Sequence, residues 1–402
     1  MEGSIGSKGT SFEDLRRAAN EILPLVEAEA DEAERLYHLT DRLVAEFRRK
    51  GLYTLLTPKV LGGAEMPYVE AMELVEKVAA VDGSAGWCMM VEGVMGASLG
   101  SFLPDQGART VFPNGADVTM AGNGVPRGFA RPVDGGFLIK GHWAYGSGIY
   151  HAEWIHSGCF IMDGEKMKLN QDGAPEIVLC QHPKSSIELK GNWDVLGLRG
   201  TGSYDYTLKE PELFVPAHMC YMFDAVEPAR GGPQYGTGLV GFTSWGHTSW
   251  ALGVGRRALD ELAKLARGRA DVFGKLCDSA SFRQSFADAE AKYRAARALV
   301  YSSWDALSER VAKGEKPNLE EIALIRLAMR HLHNVISDLS TFAHRAARGA
   351  SLRPSQLQRC YRDIHAGTQH ILLADEIMQE CGKVLLGATG ADARWTMFGV
   401  KG

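Results

Sequence analysis

The spacing of apolar residues divides the chain into three stretches of different character. Across residues 11–103, apolar side chains recur at intervals of three and four positions, which predicts helices. Across residues 120–216, short apolar runs alternate with polar positions between Gly, Asp and Asn turns, which predicts antiparallel strands. Long helical patterns then return over residues 251–267, 281–311, 319–348 and 354–385.

This order predicts an α+β protein with three regions. An N-terminal helical domain is expected at residues 11–118, a middle antiparallel β-barrel domain at 119–230 and a C-terminal helical bundle at 231–402. A chain of 402 residues is long enough to bury a core shared among such regions.

Composition narrows the range of functions. A net charge of −5 argues against nucleic-acid binding, which needs a basic face. The apolar runs are far shorter than the roughly 20 residues that span a bilayer. The seven cysteines form no C-x-x-C pair, so neither a zinc site nor a disulfide framework is indicated. We therefore expect a cytoplasmic protein.

A glycine-rich segment, GLRGTGS at residues 197–203, stands out within the β-region. Its glycines would let the backbone pass close to a flat or phosphorylated ligand. Arg199 breaks the G-x-G-x-x-G spacing of dinucleotide loops, and the next residues alternate like a strand. The segment is predicted to be a turn that offers N–H and hydroxyl donors. A tight hairpin without a ligand is an equally good interpretation.

Four segments together resemble the acyl-CoA dehydrogenase fold. More narrowly, they resemble the oxygenase components of two-component flavin-dependent monooxygenases, which act on p-hydroxyphenylacetate, steroid-derived phenols, dibenzothiophene or indoles. The matching positions run in register from about residue 45 to 385. The segments are WxxxGLRGTGS at 193–203 with FVP at 214–216, GHWAYGSG at 141–148 with HAEW at 151–154, RADVFGK at 269–275 with Gln284, and RCYRDIHAGTQH at 359–370.

The resemblance implies an acyl-CoA dehydrogenase-like fold and oxygenation of a small aromatic substrate by reduced flavin and dioxygen. Reduced FMN or FAD would come from a separate NAD(P)H-dependent flavin reductase, because the chain shows no nicotinamide-binding βαβ unit. Members of this branch are homotetramers, so the same assembly is expected here.

Catalysis is assigned by the resemblance to His370 and Ser147. On a helix over residues 354–385, Asp363, Gly367 and His370 would share one face, and Gly367 would admit a ring system near the backbone. His370 would move a proton near neutral pH. Ser147 would donate a hydrogen bond to flavin N5 or O4. From spacing alone, a structural histidine is the favoured interpretation of His370.

Further flavin contacts follow from the same resemblance. Arg269 would bind the flavin phosphate and Phe273 the ring, both across a subunit interface. Asp363 is also counted among the cofactor-binding residues, and with Arg362 it would orient the helix of His370. Trp143 would face the ring, although any single tryptophan is as well suited to the core. The remaining flavin contacts are Gly148, Thr201, Gly202 and Ser203.

Two departures from phenol-hydroxylating relatives bear on the substrate. Their phenol-binding histidine corresponds to Met95 here, and their serine-rich turn corresponds to a turn that ends at Asn123. Glu92 instead lies in an apolar stretch, where a carboxylate needs a partner. We predict that Glu92 accepts a hydrogen bond from an indole-type N–H, with Trp87, Met95 and Asn123 around the substrate. An ion pair between Glu92 and a nearby Arg is the alternative.

Other functions fit less well. A phenol hydroxylase of the same branch is the second choice. An acyl-CoA dehydrogenase would carry its carboxylate base in a Y-x-G-T-x-E-like segment, which the sequence lacks. No metal site is predicted, because a di-iron bundle needs paired E-x-x-H elements. A ligand-sensing protein would have no use for both Ser147 and His370.

Overall fold

The computed structural model describes residues 11–268, 270–271 and 274–401. Its N-terminal region is helical, and Asp82 caps the fourth helix by accepting the backbone N–H of Ala85 (2.8 Å). The helices are α1 (Phe12–Leu36), α2 (Asp41–Arg49), α3 (Tyr68–Ala79), α4 (Gly83–Phe102) and α5 (Asp105–Val111).

Helix α4 lies at the centre of the molecule. Every residue of α4 except Val91 is buried, as expected for a helix that is apolar on all sides. It contacts α3 and the first strand of the sheet. A polar side chain on α4, such as that of Glu92, is therefore held inside the protein.

The middle region is a nine-stranded sheet whose main path runs β6-β7-β2-β1-β3-β5-β9. All of its pairs are antiparallel except β1 with β3, which run parallel, so the sheet departs in this pair from the predicted antiparallel barrel. The strands are β1 (Met120–Val133), β2 (Gly136–Gly146), β3 (Trp154–Asp163), β4 (Lys166–Met167), β5 (Ile177–Pro183), β6 (Ile187–Leu189), β7 (Tyr204–Leu208), β8 (Leu213–Pro216) and β9 (Cys220–Met222).

Helices return after the sheet, so the predicted helix–sheet–helix order is confirmed. They are α6 (Gly238–Gly268), α7 (Ala280–Ala312), α8 (Leu319–Ala347), α9 (Gln356–Gly367) and α10 (Asp375–Leu385). Two small hairpins accompany them, β10 (Ala270–Asp271) with β11 (Gly274–Lys275) and β12 (Arg394–Thr396) with β13 (Gly399–Lys401). Among the described helices, none combines the length and apolarity that a bilayer crossing requires.

The single helix predicted over residues 354–385 is wrong, because the chain leaves the helix after Gly367 and resumes it at Asp375. A short 3-10 turn lies between, and His370 caps it through its side chain. Asp375 and Glu376 stabilise the new helix start, where acidic side chains meet the positive end of the helix dipole.

Candidate active site

The glycine-rich segment forms a 3-10 turn at Arg199–Thr201, between β6 and β7. Its glycines make close approaches to the protein itself. A Cβ added at Gly197 would clash with the carbonyl oxygen of Arg362 on α9, and one at Gly200 would lie 3.0 Å from Cβ of Ser84 on α4. The close packing that these two glycines allow is therefore used to join the β-region to both helical regions.

Gly202 was predicted to contact the cofactor, but the position that a side chain would occupy there lies against another segment of the protein. A Cβ added there would lie 2.9 Å from Cβ of His38, and its φ of +56° would strain any other residue. The glycine thus satisfies a packing requirement against the segment between α1 and α2.

Asp363 fastens α9 to this turn. Its Oδ1 accepts the backbone N–H of Leu198 at 2.6 Å, and Arg362 donates to the carbonyl of Leu196 at 3.1 Å. Asp363 is only 2% exposed, and burial raises its pKa to about 7, with a smaller effect from the charge of Asp82. In this geometry the carboxyl group of Asp363 positions the turn, and its contact with the cofactor stays a prediction.

A row of buried hydroxyl groups starts directly after β2. Trp87 donates from Nε1 to Oγ of Ser147 (3.0 Å), which lies 2.7 Å from Oγ of Ser203. Oγ of Ser203 is in turn 2.7 Å from Oγ1 of Thr201, which donates to the carbonyl of Leu198 at 2.8 Å. We call Ser147, Ser203 and Thr201 the hydroxyl row. The structure thus brings together three of the predicted flavin contacts and Trp87.

The surface beside the hydroxyl row is open. A Cβ added at Gly148 would meet nothing within 4 Å, and the φ of +76° there favours glycine. Tyr145, three residues earlier, is 61% exposed. An open glycine next to a set of hydroxyl groups fits the polar edge of a flat ring, so Ser147 and Gly148 suit a bound flavin.

Trp143 does not suit this role. It is fully buried, its Nε1 donates to the carbonyl of Gly158 (2.8 Å), and its ring stacks on that of Tyr206 at 5.4 Å between centroids. The prediction that Trp143 contacts the flavin is therefore wrong, and the core interpretation describes it. Trp143 lies on strand β2, where the two-residue period of a strand directs alternate side chains into the core.

A small cavity of about 10 Å³ lies between the hydroxyl row and α4. That is room for about one water molecule. Its walls include Ser147, Thr201, Cys88 and Glu92. Two further walls, the side chains of His38 and Tyr53, belong to residues that no motif in the sequence singles out.

Glu92 is buried, and both of its carboxylate oxygens lie near the backbone N–H of Met120, at 3.0 and 3.2 Å. Burial holds the pKa of Glu92 well above its usual value. The nearby cation Arg48 pairs with Asp117 (2.7 Å) and Glu153 (3.0 Å) instead. The alternative in which Glu92 forms an ion pair with an arginine is therefore wrong.

Met95 and Asn123, the two other predicted substrate contacts, contact other parts of the protein in this structure. Met95 is buried on α4. Asn123 donates from Nδ2 to the carbonyl of Ala144 (2.7 Å), and its Oδ1 accepts the N–H of Val125 (2.8 Å). Asn123 marks the point where the pairing of β1 with β3 shifts register, so its side chain secures that irregularity.

His370 follows α9 rather than lying on it. Its Nδ1 accepts the backbone N–H of Leu372 (3.3 Å), which leaves the proton of the neutral imidazole on Nε2. Burial lowers its pKa to about 4, so His370 is neutral at pH 7. Gly367 does admit a ring close to the backbone, as predicted, but the ring is the indole of Trp250.

Two histidines that the sequence analysis did not single out as candidates for catalysis pack beside His370. The ring of His247, on α6, lies 4.1 Å from that of His370 and 6.4 Å from that of His333. Within the described ranges, Nδ1 of His247 and Nε2 of His333 are buried without a hydrogen-bond partner. Trp87 lies 5.0 Å from His247 and 6.1 Å from His370. We call His247, His333 and His370 the histidine cluster.

The signal for His247 in the sequence is weak. It stands between Trp245 and Trp250 in a stretch otherwise built of small residues, which indicates a buried position and nothing more. Burial, with smaller effects from its two histidine neighbours, holds the pKa of His247 well below its usual value. In the part of the chain that the structure describes, no group of three His, Cys, Asp or Glu is arranged to hold a metal ion.

Arg269 and Phe273, predicted to bind the flavin phosphate and ring, lie outside the described residues. Their assignment stays a prediction.

Comparison with known proteins extends this picture. An acyl-CoA dehydrogenase N-terminal domain model matches residues 12–106, and an acyl-CoA dehydrogenase C-terminal domain model matches residues 245–375. The chain is 29% identical to indole-3-acetate monooxygenase of Pseudomonas putida, with 95% of this chain and 94% of that protein covered. It is also 29% identical to the flavin-dependent monooxygenase oxygenase subunit HsaA of Rhodococcus jostii, with 87% and 92% covered.

A solved structure of similar shape is XiaF from Streptomyces sp. in complex with FADH2 and glycerol. Its TM-score is 0.83 at 22% identity, with 94% of this chain and 96% of that chain covered. The fold and the domain matches define a protein of the acyl-CoA dehydrogenase fold. Within that fold, the chain belongs to the oxygenase components of two-component flavin-dependent monooxygenases, which implies a flavin reductase as partner.

Proposed function

We propose that this oxygenase hydroxylates a small indole-type heterocycle and that Glu92 binds the ring N–H of the substrate. The observation that carries the proposal is the position of Glu92, a buried carboxyl group on the wall of a cavity that Ser147 also lines. A relative named for indole-3-acetate, aligned over nearly the full chain, supports the same substrate class.

Glu92 is suited to this task in its neutral form. Burial raises the pKa of Glu92, which favours its neutral form, and the carbonyl oxygen of that form accepts a hydrogen bond without bringing a charge into the pocket. An indole is far larger than the present cavity, so we expect side chains from α2 and α4 to move outward when substrate binds.

The hydroxyl row and the histidine cluster, which both contact Trp87, provide the remaining roles in flavin binding and proton transfer. When bound, the reduced flavin supplies two electrons and the site of reaction with dioxygen. Ser147 and Gly148 hold its polar edge, and His370, neutral and protonated on Nε2, gives or takes a proton there. Trp87 and the buried walls exclude water, which protects reactive species from wasteful breakdown.

Three further parts of the proposal concern the flavin and its reductase, two residues outside the described ranges, and the assembly of subunits. The flavin is FMN or FAD, reduced by a separate NAD(P)H-dependent reductase. Arg269 and Phe273 bind it across a subunit interface. The assembly is a homotetramer, with the long helices α6, α7 and α8 available to form the interface.

A phenol is the second candidate substrate. Met95 offers a phenolic oxygen no hydrogen-bond donor, and Asn123 is already engaged within the fold, so the pocket favours an N–H donor over a phenolate.

The test compares indole with benzofuran, which has the same shape but lacks the N–H group. We expect indole to bind about tenfold more tightly by calorimetry, which is the value of roughly one hydrogen bond. Glu92→Ala should abolish that difference, whereas Glu92→Gln, which keeps a carbonyl acceptor, should retain most of it. Equal binding of the two ligands to the wild-type protein would remove Glu92 from substrate recognition.

A second measurement tests the reaction itself. Product should form only when chemically reduced flavin and air are both supplied. Bleaching of a tightly bound FAD by acyl-CoA without air would instead show a dehydrogenase.

A further inference from the structure

We propose that Thr201 and Ser203 fix Ser147 as a hydrogen-bond acceptor toward flavin N5, and that the site thereby selects reduced over oxidised flavin. The inference rests on the proposed function, because it needs the N5 edge of the flavin at Ser147. It goes beyond that function by assigning Thr201 and Ser203 a specificity role that they exert through Ser147.

The direction of every hydrogen bond in the hydroxyl row can be worked out from one end. Oγ1 of Thr201 lies 2.8 Å from the carbonyl oxygen of Leu198, and a carbonyl can only accept. The proton of Thr201 is therefore used on Leu198. Oγ1 of Thr201 must then accept from Ser203, 2.7 Å away, and Oγ of Ser203 must accept from Ser147, also 2.7 Å away.

Counting the bonds of Ser147 leaves one place for a ligand. A hydroxyl group has one proton and two lone pairs. The proton of Ser147 is directed to Ser203, and one lone pair receives the indole N–H of Trp87 at 3.0 Å. The remaining lone pair is an acceptor. The donor role predicted for Ser147 from sequence is thus reversed in this arrangement.

The two redox states of flavin present opposite groups at N5. Oxidised isoalloxazine has a lone pair and no proton at N5, whereas the reduced ring carries an N–H there. An acceptor at this position forms a hydrogen bond with the reduced ring and faces the oxidised ring lone pair to lone pair. An oxygenase that receives reduced flavin from a reductase would thereby retain reduced flavin and release oxidised flavin after the reaction.

The anchor of the row is firmly held. The N–H of Leu198 donates to Asp363 at 2.6 Å, and its carbonyl also accepts Nε1 of Trp193 at 3.0 Å. For Ser147 to donate to oxidised flavin, it would have to withdraw its proton from Ser203 and leave two buried oxygens facing each other. That loss of one hydrogen bond corresponds to about tenfold in affinity.

The test uses Thr201→Val, which removes the hydroxyl group at nearly constant shape, and Thr201→Ser, which keeps it. Dissociation constants for oxidised and dithionite-reduced FMN and FAD would be measured without air by tryptophan fluorescence. We expect the wild-type protein to prefer reduced flavin, the preference to fall about tenfold in Thr201→Val, and Thr201→Ser to behave like wild type. Ser203→Ala, which frees the proton of Ser147 by another route, should act like Thr201→Val.

The midpoint potential of the bound flavin gives an independent measurement. It should fall by about 30 mV in Thr201→Val, the equivalent of tenfold for a two-electron couple. Equal affinity of the wild-type protein for both redox states, or an unchanged preference in folded Thr201→Val and Ser203→Ala, would overturn the inference while leaving the proposed function intact. Failure of the wild-type protein to bind any flavin would overturn both.

Discussion

The hydroxyl row and the histidine cluster both contact Trp87, yet their buried polar atoms differ in how completely they are hydrogen-bonded. In the hydroxyl row each proton has an acceptor, and the row ends on a carbonyl that the fold holds in place. In the histidine cluster, His247 and His333 each bury a nitrogen that has no partner among the described residues. Buried polar atoms are usually paired, so unpaired ones call for a reason.

This difference separates two tasks. A fully bonded row cannot easily change direction, so it suits a group that must present a fixed acceptor to a cofactor. Unpaired nitrogens beside a neutral His370 remain available to a proton or a ligand, which supports the proton-transfer role proposed for His370. Removing one group at a time would test this contrast.

The largest effect is expected for His370→Ala. If His370 handles the proton in the reaction, its loss should lower hydroxylation by about 10²-fold or more, the usual value of a positioned acid or base. The measurement is product formed per reduced flavin consumed, with Thr341→Ala, at a half-buried position on α8, as a control. A variant that keeps wild-type yield would leave His370 as a structural residue.

Asp363→Asn tests how the carboxyl group that accepts the Leu198 N–H contributes to stability at different pH values. The pKa of Asp363 is raised from 3.8 to about 7 in the folded protein, so the folded chain holds this proton more tightly than the unfolded chain between those values. The stability it contributes is fully present below about pH 4 and is lost as pH rises through 7.

The wild-type protein should therefore lose stability between about pH 4 and 7, by up to about 1.4 kcal/mol per pH unit from this group. Asp363→Asn should flatten that loss, whereas a change at exposed Asp172 should not. Urea midpoints at the two pH values provide the measurement. Equal slopes for wild type and Asp363→Asn would show that the carboxyl group is ionised throughout.

The smallest effects form a matched pair. Ser147→Ala leaves the buried N–H of Trp87 without its acceptor and should cost about 1–3 kcal/mol of unfolding free energy. His247→Phe replaces a ring whose Nδ1 is already unpaired, so we expect it to cost less unfolding free energy than Ser147→Ala. If His247→Phe proved the more destabilising of the two, the contrast between row and cluster would not hold.

Much of this architecture was open to prediction because it depends on local pattern. The three- and four-residue spacing of apolar positions specifies helices, and the two-residue spacing specifies strands, wherever the chain goes afterwards. The motifs also marked Ser147, Thr201 and Ser203, which do come together. The break after Gly367 was missed because the apolar spacing continues through it, whereas the 3-10 turn that follows is capped by the side chain of His370.

The sequence by itself determined the order of helices and strands, the family and the residue types available for chemistry. Only the tertiary structure decided which groups those residues meet. It placed Trp143 in the core, turned the glycines of the 197–203 segment toward other parts of the chain, and set His247 beside His370. The physical reason is distance along the chain. The bond that anchors the hydroxyl row joins Leu198 to Asp363, 165 positions apart, and no local pattern specifies such a pair.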